Sequence, residues 1–218
     1  MSPEKHPIQK PLTTIAHILG NGDSISLFNR DEWEESNEFV GCNFSDIRFR
    51  PDYTVIMDAK PMFEVYGGMN IEIPVVLSDR CETFIVKDKK GWDKLRDEAF
   101  TFVDTITMIH DKANGYNFPM NSGHHATMYA IKRNEDVIKE VHLWGFNTFW
   151  SDDLKSNTDL IVKRNATNRS RPNPRVSNEW RKYWKTLFNT NSNISFIVHG
   201  ATEIDKYFID VKNVKGVI

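Results

Sequence analysis

Short apolar runs, each ending in a turn or a polar residue, constrain this chain more than any other feature. "TIAHIL", "EFVGC", "YTVIM", "IPVVL", "TFIV", "VHLWGF" and "ISFIVHG" have the length of strands and little polar alternation, the pattern of strands buried on both faces. Helical stretches lie between them. "GWDKLRDEAFTFVDTITMIHDKANG" puts Leu95, Ala99, Phe102, Val103, Ile106 and Ile109 on one face, and Gly115 offers a stop, so the spacing predicts a helix there. "SGHHATMYAIKRNED" opens at a capping residue, Ser122, and groups Ala126, Tyr129 and Ala130. A third helix is expected within "SNEWRKYWKTLF", capped by Ser177 or Asn178. Strands alternating with helices predict an α/β fold, a mostly parallel sheet covered by helices on both faces.

The 218 residues suit a single domain spanning 1–218, with no repeat and no interdomain linker. At 39% hydrophobic and 27% charged, the composition is that of a soluble globular protein, and no apolar run nears the roughly 20 residues of a membrane span. Residues 1–12 read as a disordered lead-in without the apolar core of a secretory signal. Two cysteines, Cys42 and Cys81, are too few for a disulfide framework or a zinc cage. A cytoplasmic setting is the expectation.

The net charge of −2 conceals an asymmetry. Eight Lys or Arg against one Glu fall between Lys163 and Lys185, which makes that segment strongly basic and the rest of the chain acidic. Residues 151–176, rich in Asn, Asp, Ser, Arg and Pro, form the one long irregular stretch and are expected to be a mobile lid. Trp180, Tyr183 and Trp184 interleave with Arg181, Lys182 and Lys185, a combination suited to nucleic acid, with cations on phosphates and rings on bases. Arg164, Arg169, Arg171 and Arg175 extend the candidate interface into the lid.

In parallel α/β sheets ligands bind at the carboxyl ends of the strands. Gly20-Asn21-Gly22 follows the first apolar run, Asn43 the second, Asp58 the third and Gly145-Phe146-Asn147 a late one. Ser122-Gly123 opens a helix, whose free amides favour an anionic group. Asp58, a strand-end carboxylate, is the first candidate general base. His124 and His125, beside the expected ligand, come next, and His199, ending "SFIVH", is third.

The same stretches carry a resemblance. "GNGDSI" resembles the Gly-Asn-Gly-Pro-Ser-Leu element that opens sialyltransferases, particularly the small bacterial ones. "GCN" is similar to their second-strand Cys-Asn, "NSGHHATMYAI" to their Ser/Thr-Ser/Thr-Gly helix start, and "VHLWGF" to the strand and Gly-aromatic turn that follow, all in the family's order. The resemblance implies a metal-independent transferase using a cytidine-nucleotide sugar in a single Rossmann-like domain. The expected substrate is a cytidine- or uridine-type nucleotide sugar with no other cofactor, and direct displacement by the acceptor would invert the anomeric centre. It implies that Asn21 and Asn43 hold phosphate or ribose, that Ser122 and Gly123 contact the nucleotide, and that Tyr116 supplies a phenol to the leaving phosphate. No Asp-x-Asp pair occurs, in keeping with metal independence.

Two departures matter. Asp23 stands where the family has Pro, and residues 151–198 lack the lid histidine that serves those enzymes as base. The missing histidine and the basic aromatic segment favour a hydroxymethylated cytosine base in phage DNA as the acceptor, which would place the protein in a host cytoplasm. The alternatives are a sialyltransferase acting on a glycan and a noncatalytic nucleotide- or DNA-binding module.

Overall fold

A computed structural model of the chain describes residues 11–43, 49–57, 74–78, 103–106, 121–152, 174–201 and 204–218. Its strands are β1 (Ile15–Leu19), β2 (Glu38–Cys42), β3 (Tyr53–Ile56), β4 (Val75–Ser78), β5 (Val103–Ile106), β6 (Glu140–Trp144), β7 (Ser195–His199) and β8 (Val214–Val217). They form one sheet in the order β5-β4-β3-β2-β1-β6-β7-β8, and every neighbouring pair is parallel. The helices are α1 (Ser122–Arg133), α2 (Pro174–Thr190) and the short α3 (Asp205–Phe208). This is the expected α/β, Rossmann-like arrangement.

Strand periodicity divides the core in two. Ala16, Ile18, Val40, Val55, Val141, Leu143, Phe196 and Val198 pack with Ala126 and Ala130 of α1 and with Trp184, Leu187 and Phe188 of α2. On the other face Leu19, Phe39 and Trp144 pack with Ile25 and Phe28, from a 3-10 turn and the residue after it, and with Trp33 and Phe49. The chain winds outward from β1 to β5 on one side, then returns to β6 beside β1 and winds the other way. The switch point therefore lies between the carboxyl ends of β1 and β6, where such folds hold ligands.

Several expectations are corrected. Residues 103–106, expected within a long helix, form β5 and pair with β4. Val103 and Ile106 fit the i, i+3 spacing of a helix, but three of the four residues are β-branched and fit an edge of the sheet better. The cap of α1 is Asn121, whose side-chain oxygen accepts from the His124 amide at 2.8 Å, and not Ser122. Asn121→Ala is expected to lower the unfolding free energy by about 1 kcal/mol, measured by urea denaturation. Helix α2 begins at Pro174, a residue suited to the first helical position, so Ser177 and Asn178 lie inside it and cap nothing. The "TFIV" run and residues 153–173 of the expected lid lie outside the described residues.

A buried polar network joins α1 to the amino ends of β1 and β2. Asn134 Nδ2 donates to Glu38 Oε2 at 2.6 Å and to the Ala130 carbonyl at 2.8 Å, while its Oδ1 accepts from the Thr13 amide at 2.9 Å. Arg133 pairs with Glu38, whose carboxyl is pushed up by burial, with the guanidinium opposing that shift. This network fixes the far end of α1 and so aims its first turn at the carboxyl edge of the sheet.

Candidate functional site

The site is built from two turns pressed together. The Gly20 amide donates to the Trp144 carbonyl at 2.7 Å, and the Gly22 amide to the Gly145 carbonyl at 2.9 Å. Ser24 completes the junction: its hydroxyl donates to Asn147 Oδ1 at 3.1 Å and accepts from the Gly145 amide at 3.1 Å. A Cβ on Gly20 would stand 2.7 Å from the Gly145 carbonyl oxygen, and one on Gly22 2.6 Å from Asn147 Oδ1. Gly145 has φ +74°. The close approach these glycines allow is spent first on one another, which locks the β1 and β6 turns into one floor.

The floor is tied to β2 and α1. Asn21 Nδ2 donates to the Cys42 carbonyl at 2.8 Å. The next residue, Asn43, holds φ at +54°, the left-handed region that Asn enters more readily than other non-glycine residues. Its amide donates to the Val55 carbonyl at 2.8 Å, and its carbonyl accepts from the Thr54 hydroxyl at 2.7 Å. Its side-chain oxygen accepts from the Ser122 hydroxyl at 2.7 Å. Gly123 follows, and a Cβ there would stand 2.2 Å from the Phe146 ring, so the glycine lets the β6 turn lie on the start of α1. Gly20, Asn21, Gly22, Asn43, Ser122, Gly123 and Gly145 thus meet at the switch point, where doubly wound sheets carry their ligand crevice.

Chemically the crevice suits an anion with hydrogen-bonding hydroxyls. With the His124 amide taken by the Asn121 cap, the Ser122 and Gly123 amides are the ones without an intrahelical acceptor, the positive end of the α1 dipole faces the crevice, and the Asn43 amide group can donate.

Other expected residues behave differently. Asp58, Tyr116, Arg164, Arg169 and Arg171 lie outside the described residues. His124 and His125, expected as bases beside the ligand, are both buried. His124 packs between α1 and α2, with Nε2 3.2 Å from the Tyr183 carbonyl and its ring against Trp184. Burial, and then His125, push it down to about 3, and a ring shut away from solvent cannot take a proton from an acceptor.

The basic face of α2 also differs from expectation. Tyr183 and Trp184 are core residues: the Trp184 ring lies 5.3, 5.0 and 5.5 Å from those of Phe146, Phe149 and Phe188, so neither aromatic is offered to a base. Arg181 is only 5% exposed. Its Nε donates to the Thr148 carbonyl at 2.8 Å, Nη1 to Asp152 at 3.0 Å and Nη2 to the Ser151 carbonyl at 2.7 Å, and it stacks on Tyr207. It clamps the exit of β6 to α2. Lys182 pairs with Glu179 and Lys185 with Asp210. Arg175, Glu179, Arg181, Lys182, Lys185 and Tyr207 line a groove of about 540 Å³.

Sequence reasoning missed Ser24, which joins the two turns through Asn147, and, on the opposite sheet face, the partners of His199, the third candidate base. There His17, His142 and His199 come from three adjacent strands and group with Trp33 and Trp144. The available signal was one histidine in each of three apolar runs.

Among the described residues no helix is long and apolar enough to cross a membrane. Comparison with protein-family models, curated proteins and solved structures found no match. Fold and site define a doubly wound parallel α/β domain with polar side chains gathered at its switch point.

Proposed function

We propose that this chain is a metal-independent, inverting glycosyltransferase that holds a cytidine- or uridine-type nucleotide sugar in the switch-point crevice. The observation that carries this reading is the pairing of Asn43, in its left-handed conformation, with Ser122 at the start of α1. Outside glycine that backbone region is most open to Asn, and here it turns an amide side chain toward the amino end of a helix. In this mechanism an acceptor hydroxyl loses its proton to a base and attacks the anomeric carbon. The nucleotide leaves from the opposite side, its phosphate charge met by helix amides and polar side chains.

The favoured acceptor is a hydroxymethylated cytosine base in phage DNA, on the strength of the basic segment from Lys163 to Lys185. A glycan acceptor is the second reading. The inward-facing Tyr183 and Trp184 favour it, because they leave α2 without those two rings for a base. Steep salt dependence of DNA binding is expected of the first reading, and no DNA binding at low salt counts against it.

The test is thermal unfolding with CMP, CDP, UMP, UDP and GDP, each with and without magnesium. A ligand at about 100 times its Kd adds about 2.7 kcal/mol to the folded state. The expected result is a shift with a pyrimidine nucleotide in the absence of metal, reduced at least threefold in apparent affinity by Asn43→Ala. No shift with any nucleotide would reject the reading. Binding without turnover of any nucleotide sugar would point to the noncatalytic module.

A further inference from the structure

We propose that Glu140, His142 and His199 form a hydrogen-bonded relay that presents His199 at the carboxyl edge as the proton acceptor for the transfer step. This rests on the glycosyltransferase reading and supplies the base that the lid lacks. His142 Nε2 lies 2.7 Å from Glu140 Oε1, and His142 Nδ1 lies 2.7 Å from His199 Nε2. A carboxylate can only accept, so the His142 proton sits on Nε2 and its Nδ1 is a lone pair. That lone pair accepts from Nε2–H of His199, which leaves His199 Nδ1 as the unprotonated atom. Among the described residues this atom has no hydrogen-bond partner, and the ring is partly exposed.

The position suits the role. His199 ends β7, and its ring stacks on Trp144 at 3.3 Å between centroids, the residue whose carbonyl anchors Gly20. The next residue, Gly200, has φ +76°, and a Cβ there would stand 2.6 Å from Cβ of Ser24. The backbone that follows His199 therefore lies against the β1 turn, and the His199 ring stacks on the residue that precedes the β6 turn.

The groups facing the relay from neighbouring strands are His17 of β1, whose ring lies 4.6 Å from that of His142, and Lys215 of β8. Burial holds His142 below its ordinary range, with Glu140 opposing and Lys215 adding to the shift. Burial, and then His142, push His199 down to about 3. Both rings are thus neutral near pH 7 with one N–H each, as the chain of bonds requires. In the reaction His199 Nδ1 takes the proton of the acceptor hydroxyl while that oxygen bonds the anomeric carbon. The bond from that carbon to the phosphate oxygen breaks, the electron pair leaves with the nucleotide, and the imidazolium later loses its proton to water. Glu140 and His142 are positioning residues: they fix the tautomer and stabilise the transient charge.

The experiment uses the whole protein with UDP-glucose and CMP-N-acetylneuraminate as donors, and ¹⁵N-histidine NMR. His199→Gln is expected to lower turnover at least 100-fold, the range of general-base catalysis, with the nucleotide-induced shift in Tm unchanged. Glu140→Gln is expected to lower kcat with KM unchanged, to alter the pH profile, and to release the Nε2–H tautomer of both rings. Turnover by His199→Gln within threefold of an active wild type overturns the base role, and so does an Nδ1–H tautomer at His199 in the wild type. A wild type that binds no nucleotide and turns over neither donor removes the glycosyltransferase reading and the base role with it. The NMR tautomers then report separately whether the hydrogen-bonded chain exists.

Discussion

Gly145→Ala is expected to destabilise the fold by about 3 kcal/mol and to abolish nucleotide binding at any concentration that saturates the wild type. Two costs add. The residue holds φ at +74°, where an L side chain costs about 1–2 kcal/mol. The new Cβ would also stand 2.9 Å from both the carbonyl carbon and oxygen of Gly20, and 3.1 Å from the Gly22 nitrogen. These are backbone atoms within the β1 turn, so relief requires the two turns to part, at about 1–3 kcal/mol. Parting lengthens the 2.7 and 2.9 Å hydrogen bonds that join them. Against a typical total stability of about 5–15 kcal/mol such a loss is readily measured by urea denaturation. Gly41→Ala is the control. Its φ is ordinary, so only the crowding cost applies: the new Cβ would meet Thr54 Oγ1 at 3.0 Å and Thr54 Cβ at 3.2 Å, and a smaller loss of about 1 kcal/mol is expected. Equal small losses at both positions would mean that the two turns are not locked together.

The difference between those glycines was not legible in the sequence, although the turn itself was. "GNG" after an apolar run signals a sharp turn, but what presses on it comes from Gly145, more than a hundred residues away. The strands were legible because a parallel sheet buried on both faces leaves uninterrupted apolar runs, as in β2, whose five residues are all buried. β8 escaped because "VKGV" is an edge strand, with an exposed lysine and a glycine breaking the run. β5 was misread because its two apolar residues satisfy both periods.

The convergence of strand ends on one edge followed from the alternation of elements alone. The pairing of Asn43 with Ser122 across 79 residues did not, because it depends on how α1 is aimed. In α2 the sequence held the answer and the weight fell on the wrong feature. Tyr183, Trp184, Leu187 and Phe188 recur at helical spacing, which marks a core stripe, and all four are buried. The interleaved cations drew attention to an interface that these two rings do not serve. The three strand histidines each read as separate residues until register placed His17 beside His142 and His199 two residues beyond the partner of His142.

Lowering the pH from 7 toward 4 is expected to unfold the protein well before its carboxylates have titrated, because histidines are shut into the fold as neutral rings. His124 is the clearest case: burial, and then His125, hold it at about 3, against about 6.5 for an unfolded histidine. Below pH 6.5 the unfolded chain gains a proton at this position and the folded chain does not, until pH nears 3. Stability is therefore intact above about pH 6.5 and falls as the pH drops through that window, by about 1.4 kcal/mol per pH unit for each such ring. At pH 5 His124 alone accounts for roughly 2 kcal/mol.

His142 acts in the same direction, through burial that outweighs the help of Glu140. His199 adds less, since its partial exposure lets water screen the charge. Glu38 works against the trend. Burial raises its carboxyl above 4.5 despite Arg133, so the folded state holds that proton more tightly and gains stability as pH falls through the same region. One carboxyl opposing two buried rings leaves the balance with the histidines. Urea midpoints at pH 7, 6 and 5 are expected to fall steadily, and His124→Gln, which can still donate to the Tyr183 carbonyl, is expected to flatten the slope by about one proton's worth. A wild-type midpoint that stays level from pH 7 to 5 would mean that the ring between α1 and α2 reaches solvent, and would reopen it as a candidate base.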